Sequence, residues 1–419
     1  MKVKRIDIQK IIYIIYMMFI LNVTYSVFNT AYANLFAVVF VMFGMLTSTI
    51  PGLIHGVINK QITRGFKAFL LPMIFITIVS VLTAKYVHGT SFYSSDVKQS
   101  LWRCFYYIIA FFVAYYSIRW FDKEAIKLIV ISGWISYFTV FIKYLKNAGI
   151  GGLVNFEYTV GGVGLEVHNL TYCMGLFFVY YLVSNQYTKN EKIKILIPIL
   201  IAVIYGNKRS LFLGLAVSLL LYFILNKFES RRMWTLRIVF GIYIIGAFIF
   251  LWLVRSGIFA DILSYFNIPD MARLRIWNYF SDSYTISPNY WGRGIAYTDN
   301  RMVLKSTMQA LDITNKIPIH NDILRMYIGW GFIPFLYYIM NFFLKQIHWF
   351  IKQGRENNGW KYFTIASCVY FINFFDNMIT ALNFNMCFFA IWLLLIRDID
   401  YGGGEQGEEE FGNNYYSSL

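Results

Sequence analysis

The sequence has few charged residues and few cysteines for its length. Of its 419 residues, 14% are charged and four are cysteine, while 58% are hydrophobic. A soluble domain keeps much of its surface in water and carries about 25% charged residues. This composition therefore excludes a soluble enzyme, a disordered regulator and a disulfide scaffold. It indicates that lipid faces the protein.

Motifs that bind nucleotides or metals are also missing. The chain has no GxxxxGK[ST] phosphate loop, no HExxH pair and no CxxC spacing, and its GxGxxG spacing at Gly402–Gly407 lies in the acidic tail. Its one Asp-x-Asp, Asp398–Asp400, lies in an acidic segment near the end. We therefore predict neither a metal site nor a cofactor. The four cysteines fall in apolar runs and are expected to be packing residues.

Long apolar runs dominate what is present. A membrane-spanning helix needs about 20 mostly apolar residues. The sequence predicts an all-α polytopic integral membrane protein with eleven or twelve transmembrane helices. We expect the first run to be retained, because no cleavage site for a signal peptide follows it. The predicted spans are roughly 11–28, 31–50, 66–87, 101–118, 126–145, 169–184, 193–206, 209–226, 236–254, 321–344, 361–379 and 381–397.

The basic residues predict how these spans are oriented. The net charge of +15 comes from Lys and Arg in short clusters between the runs. This pattern orients membrane helices, and we expect no nucleic-acid partner. It predicts cytoplasmic termini and a long outer loop over 255–320, between helices 9 and 10. That loop is rich in aromatic residues, so we expect short interfacial helices rather than disorder.

The domain organisation follows from the same pattern. Residues 1–397 are predicted to form a single transmembrane helical domain. Residues 398–419 are acidic and glycine-rich and are predicted to be a disordered cytoplasmic tail.

Cations at predicted outer positions are the first candidates for a functional site. Lys208 and Arg209 lie in a very short outer turn, against the rule that positive charge stays inside. Arg273 and Arg275 lie in the long loop and could clamp an anion. The simpler alternatives are snorkelling to the interface for the first pair and lipid-headgroup contact for the second.

A histidine is the second kind of candidate. His320 precedes the predicted tenth helix, for which Asn321 or Asp322 is a plausible N-cap. A neutral imidazole at such a position can accept a proton. His168 and Asn169 repeat this pair at another predicted outer helix start. Two helix N-termini, with their cations and a histidine, are thus predicted to meet on the outer face, which suits a phosphate-bearing lipid substrate.

At these residues the chain resembles the bacterial O-antigen polymerase and ligase family. The likeness extends over roughly 200–345. It is carried by four segments in order, namely Gly206–Leu211, Arg273–Trp277, the glycine turn from Pro288 to Gly294, and His320–Leu324 followed by Gly329 and Gly331.

The resemblance implies a metal-independent glycosyltransferase of the bacterial inner (cytoplasmic) membrane. It would polymerise undecaprenyl-pyrophosphate-linked repeat units into surface polysaccharide, either O-antigen or capsule. Arg209 and Arg273 would hold the pyrophosphate, and His320 would be the general base. We assign substrate binding to Arg275, Lys208, Arg293, Asn321 and His168. The expected partners are the lipid-linked glycan, the lipid bilayer and other polysaccharide export proteins.

Two other functions remain open at this stage. A ligase that moves finished glycan to another acceptor would share the same donor chemistry. A flippase or transporter is the non-enzymatic alternative, and Asn373, Asp376 and Asn377 are its best support. Transporters usually have repeated halves and polar residues at mid-membrane depth. The sequence shows no such repeat.

Overall fold

The computed structural model describes residues 5–21, 30–54, 59–154, 159–160, 163–164, 168–266, 273–313 and 318–401. This part of the chain is almost entirely helical. Two short antiparallel strands, β1 (Thr159–Val160) and β2 (Val163–Gly164), form a small hairpin. Most of the predicted tail, 402–419, lies outside the described residues.

The α-helices within these ranges follow one another along the chain. They are α1 (Arg5–Leu21), α2 (Thr30–Gly44), α3 (Ile50–Ile54), α4 (Lys60–Gly65), α5 (Leu71–Tyr86), α6 (Ser95–Phe121), α7 (Glu124–Val154), α8 (His168–Val183), α9 (Lys189–Gly206), α10 (Arg209–Lys227), α11 (Arg232–Ser256), α12 (Ile258–Tyr265), α13 (Arg273–Ser281), α14 (Tyr297–Arg301), α15 (Lys305–Ala310), α16 (Asp322–Trp330), α17 (Phe332–Met340), α18 (Gln346–Lys352), α19 (Glu356–Phe375) and α20 (Leu382–Tyr401).

Each predicted apolar run overlaps one or more of these helices. Three π-helical turns, Met45–Thr49, Phe66–Leu70 and Asn341–Lys345, join α2 to α3, α4 to α5 and α17 to α18. Six described helices are long and apolar enough to cross a membrane. The all-helical class with several candidate membrane spans is confirmed, while the count of eleven or twelve spans stays a prediction. The six are Tyr32–Ile54, Lys60–Tyr86, Ser95–Phe121, Glu124–Lys146, Arg209–Lys227 and Glu229–Ser256.

Helices α19 and α20 form the centre of the bundle. Nearly every residue of α20 from Leu382 to Ile396 is buried, as expected for a helix that is hydrophobic on all sides. Helix α20 packs against α6 and α8, and α10 packs along α19. Large apolar side chains such as Phe223 on α10 and Ile242 on α11 are exposed, in keeping with contact to lipid.

The segment between α11 and α16 is folded. It contains the four short helices α12 to α15, which the sequence analysis expected in general form. Its position on the outer side of a membrane stays a prediction.

The predicted tenth span is broken at Gly331, where φ is 84°. A glycine turn, Gly292–Gly294, lies directly against this break. The Gly294 N–H donates to the Gly329 carbonyl over 2.9 Å, and a Cβ on Gly292 would lie 2.5 Å from the Gly331 nitrogen. Because no real Cβ fits there, the two glycine motifs hold backbone against backbone and fix the long segment to α16.

Candidate active site

A polar cluster lies where α8 and α10 begin and α19 ends. The Tyr172 hydroxyl on α8 donates to Oδ2 of Asp376 over 2.6 Å. The Ser210 hydroxyl on α10 lies 2.5 Å from the Tyr172 oxygen. Since the Tyr172 hydroxyl donates its single proton to Asp376, the Ser210 hydroxyl is the donor in its bond to the Tyr172 oxygen. We call this group, with His320, Lys208 and Arg273, the Asp376 cluster.

His320 lies directly before Asn321, the N-cap of α16, and faces the Asp376 carboxylate. Its Nδ1 lies 3.4 Å from Oδ1 of Asp376, and its side chain is 21% exposed. Its φ is 48°, a left-handed conformation that is uncommon outside glycine and that histidine adopts more often than most residues. With Nδ1 turned to the carboxylate, Nε2 is the nitrogen left to accept a proton.

Lys208 is the buried cation of the cluster. It is only 7% exposed, although it lies in the turn between α9 and α10. Burial lowers the pKa of Lys208 to about 8, the Asp376 carboxylate opposes that shift, and the Arg273 guanidinium adds to it. Lys208, Asp376 and Arg273 are therefore close enough for their charges to interact.

The three predicted arginines differ in their surroundings. Arg273 is the half-buried first residue of α13. Arg209 is the exposed first residue of α10, and no hydrogen bond or ion pair of its guanidinium is found within the described ranges. Arg275 is exposed and donates from Nη1 to the Leu311 carbonyl over 3.2 Å. The structure thus brings Lys208 and Arg273 together, with Arg209 next to Lys208.

Local packing explains how these side chains are positioned. A Cβ on Gly206 would lie 2.2 Å from Oγ1 of Thr171, so α9 ends in direct contact with α8 just before the Lys208 turn. On the other side, Nε1 of Trp277 donates to the Ile319 carbonyl over 2.8 Å. This bond ties the helix that begins with Arg273 to the residue before His320.

A network of buried ion pairs adjoins the Asp376 cluster through α16 and the turn after α19. Arg103 on α6 bonds Asp299, and Asp299 lies 3.8 Å from Nη1 of Arg325. Arg325 also pairs with Asp322, which accepts the Ile379 N–H over 2.7 Å. Two arginines and two aspartates balance in charge, as buried ions require. The network fixes α14, α16 and the turn after Asp376 to one another.

Arg293 lies apart from the Asp376 cluster. Its Nη1 is 3.4 Å from Nδ1 of His88, and its Nε donates to the Ser283 carbonyl. Both side chains line a separate surface cavity of about 270 Å³. His88 contacts the Gly292 carbonyl over 2.7 Å, so it braces the glycine turn.

The last two predicted positions have different outcomes. Asn321 is fully buried and is the N-cap of α16, because its Oδ1 accepts the Leu324 N–H over 2.8 Å. The capping role predicted for Asn321 is therefore confirmed, and its amide nitrogen has no partner among the described residues. His168 begins α8, but its side chain lies outside what the structure describes.

The cluster can bind an anion and accept a proton within one site. Lys208 and Arg273 supply positive charge beside the N-terminus of α10, which itself favours anions. His320 supplies a proton acceptor oriented by a carboxylate. Within the described ranges, no three His, Cys, Asp or Glu side chains are grouped so that they could hold a metal ion.

Sequence reasoning placed Asp376 near the outer face, where it could line the same cleft, but it gave Asp376 no catalytic role and did not single out Tyr172 or Ser210. One carboxylate within the apolar run 361–379 was a usable signal, since ionisable residues in such runs are often functional. Tyr172 gave no signal, because it is one of 33 tyrosines. Ser210 follows Arg209 directly, and only the fold turns it towards α8.

Residues 195–339 match the family model described as O-antigen ligase. The resemblance to the O-antigen polymerase and ligase family is confirmed by this match. The matched segment includes Lys208, Arg209, Arg273 and His320, whereas Tyr172 and Asp376 lie outside it. A comparison with curated proteins finds no match. Together with the apolar helices, the family match supports a multi-pass bacterial membrane protein.

Proposed function

We propose that the chain is a membrane glycosyltransferase that moves glycan from an undecaprenyl-pyrophosphate donor to a hydroxyl group. The observation that carries the proposal is the Asp376 cluster, in which anion-binding cations and an oriented histidine share one site. Both belong to a segment that matches the O-antigen ligase model.

The donor's pyrophosphate is held by Lys208, Arg273 and Arg209. When the bond from the anomeric carbon to the phosphate oxygen breaks, that oxygen gains negative charge. Cations fixed in a site with little water stabilise this charge most strongly. The exposed guanidinium of Arg209 is available for a bidentate contact with phosphate.

The acceptor's hydroxyl is activated by His320. Its oxygen forms the new bond to the anomeric carbon, its proton passes to Nε2, and the pyrophosphate carrier leaves with the electron pair. Asp376 is a positioning residue in this step, since it faces Nδ1 and fixes which nitrogen accepts the proton.

We propose that the reaction joins repeat units into a polymer, either O-antigen or capsule. Ligation of finished glycan is the second candidate, and the family match supports it equally. A deletion strain separates them. Loss of a polymerase leaves single repeats on the final acceptor, whereas loss of a ligase leaves long glycan on the polyprenyl carrier.

The site is tested by single substitutions in a complemented deletion strain. Arg209→Ala, Arg273→Ala and His320→Ala should each abolish long-chain glycan while membrane levels stay normal. Arg209→Lys should also fail if the planar fork is needed. Lys305→Ala, which removes an exposed cation from α15, is the matched control. Normal glycan from all the site variants would refute the assignment.

We also propose that the cluster faces outward from the inner membrane, with cytoplasmic termini. A membrane-impermeant thiol reagent added to intact spheroplasts should label Arg209→Cys. It should label Lys60→Cys, at the start of α4, only after lysis. The opposite result would place the site in the cytoplasm and exclude a translocated donor.

A further inference from the structure

A second polar cavity lies beside the Asp376 cluster and has no role so far. Its volume is about 270 Å³. It opens among the end of α1, the start of α2, the side of α6, the start of α8 and the turn between α19 and α20. We call it the amide pocket, after the four asparagines that line it, Asn34, Asn169, Asn377 and Asn383.

Two of these amides have side-chain atoms without hydrogen-bond partners among the described residues, although Oδ1 of Asn383 accepts the Phe384 N–H. Asn383 is only 1% exposed, and its Nδ2 has no hydrogen-bond partner among the described residues. Asn377 has none for either Nδ2 or Oδ1. A buried polar atom left unpaired is costly, and most such atoms in proteins are paired. Such atoms beside a cavity are satisfied when a polar ligand in the cavity supplies the missing hydrogen bonds.

The lining indicates the class of that ligand. Among the described residues, no charged side chain lines the pocket, which disfavours phosphate, carboxylate or ammonium groups. Amides both donate and accept hydrogen bonds, as sugar hydroxyls do. Tyr106, Ile20 and Leu382 add apolar surface for the C–H face of a ring. The volume is below the roughly 300–1,000 Å³ of pockets that enclose drug-sized ligands, so it suits a single sugar unit.

The pocket is joined to the Asp376 cluster through the backbone. The Asn377 N–H donates to Oδ1 of Asp376 over 2.8 Å, on the oxygen that faces His320. Thr380, which also lines the pocket, accepts from Nη2 of Arg325. A ligand held by Asn377 would therefore lie on the side of the cluster where the acceptor is activated, away from the charge that binds pyrophosphate.

We infer that the amide pocket binds a neutral sugar unit of the acceptor glycan and so helps to select which glycan is extended. The inference rests on the proposed glycosyltransferase function. It assigns to the turn 377–383 the recognition of sugar hydroxyls, next to a cluster that acts on the donor.

The test is binding of a lipid-free oligosaccharide, released by mild hydrolysis from the host's own polysaccharide. Saturation-transfer NMR is recorded on the purified full-length protein in detergent. The variants are Asn377→Leu and Asn383→Leu, which replace an amide by an apolar group of similar size. Asn278→Leu, an exposed amide on α13, is the matched control. We expect the two pocket variants to weaken binding about tenfold or more, and the control to bind normally.

Stability and binding should move independently. Asn377 makes no side-chain hydrogen bond, so Asn377→Leu should melt at or above the wild-type temperature while binding is lost. If both pocket variants keep wild-type affinity, or if the wild type binds no oligosaccharide, the pocket holds solvent alone and the inference is wrong. The proposed function is judged separately, because a deletion strain with normal glycan would refute it whatever the pocket binds.

Discussion

Asp376→Asn gives the most direct test of the proposed chemistry. The Asp376 side chain is 4% exposed and is met by three donors. The Tyr172 hydroxyl lies 2.6 Å from Oδ2, and the Asn377 N–H and His320 Nδ1 lie 2.8 and 3.4 Å from Oδ1. An asparagine has one acceptor oxygen, so its amide N–H₂ group must point at Tyr172 or at the two donors on the other side.

Two consequences follow from this mismatch. A buried group left unpaired costs about 1–3 kcal/mol of folding stability. The loss of charge also removes the attraction between Asp376 and Lys208. For catalysis, an imidazole whose tautomer is no longer fixed loses its function as a base, and general base catalysis is worth roughly 10²–10⁴ in rate. We expect kcat to fall by roughly 10²-fold or more with a smaller change in KM.

The assay is turnover of a fluorescent polyprenyl-pyrophosphate oligosaccharide in proteoliposomes, with thermal melting of the same preparations. Asp312→Asn, at an exposed aspartate, is the control. Because Asp376 acts through His320, His320→Ala and the double variant should have nearly equal rates. Independent, multiplying losses in the double variant, or an unchanged kcat in Asp376→Asn, would refute the dyad.

Three further results are expected. Burial lowers the pKa of Lys208 to about 8, whereas an unfolded lysine titrates near about 10.4, so the native state binds fewer protons between these values. The melting temperature of the wild type should therefore rise from pH 8 towards 10 relative to Lys208→Met, and parallel curves would contradict the burial of this cation. Gly331→Ala should lower the melting temperature more than Gly354→Ala. Both glycines have positive φ, but only at Gly331 would a new Cβ lie 2.4 Å from other backbone atoms. Equal losses would argue against the glycine contact. Chelation of divalent cations should leave the transfer rate unchanged, and restoration of a lost rate by Mg²⁺ would contradict metal independence.

The helices were the most predictable part of this chain. Apolar runs must be helical in lipid, since the backbone has to satisfy its own hydrogen bonds there. The runs near 209–226 and 101–118 therefore fall within α10 and α6. The break at Gly331 was missed, because it arises from contact with a glycine turn from which it is separated by the three helices α14 to α16. A hydropathy pattern carries no record of such a contact.

The site was predictable in kind but not in arrangement. An N-capping asparagine after a histidine indicated the start of α16, and the charged turn at 208–209 indicated an anion site. Which of the two adjacent cations is buried is set by tertiary packing, which brings Lys208 near Asp376. The structure buries Lys208 and exposes Arg209, whereas the family resemblance gave the greater role to Arg209.

The hydrogen bond from Trp277 to the Ile319 carbonyl has a mechanical consequence. It joins the helix that begins with Arg273 to the peptide next to His320, so displacement of either segment loads the other. In the proposed function, Arg273 binds the carrier and His320 deprotonates the incoming sugar, so this bond couples the two groups. Opening of the site for product release would then displace both groups together. A donor would not stay activated while the acceptor is absent, which would limit its hydrolysis by water.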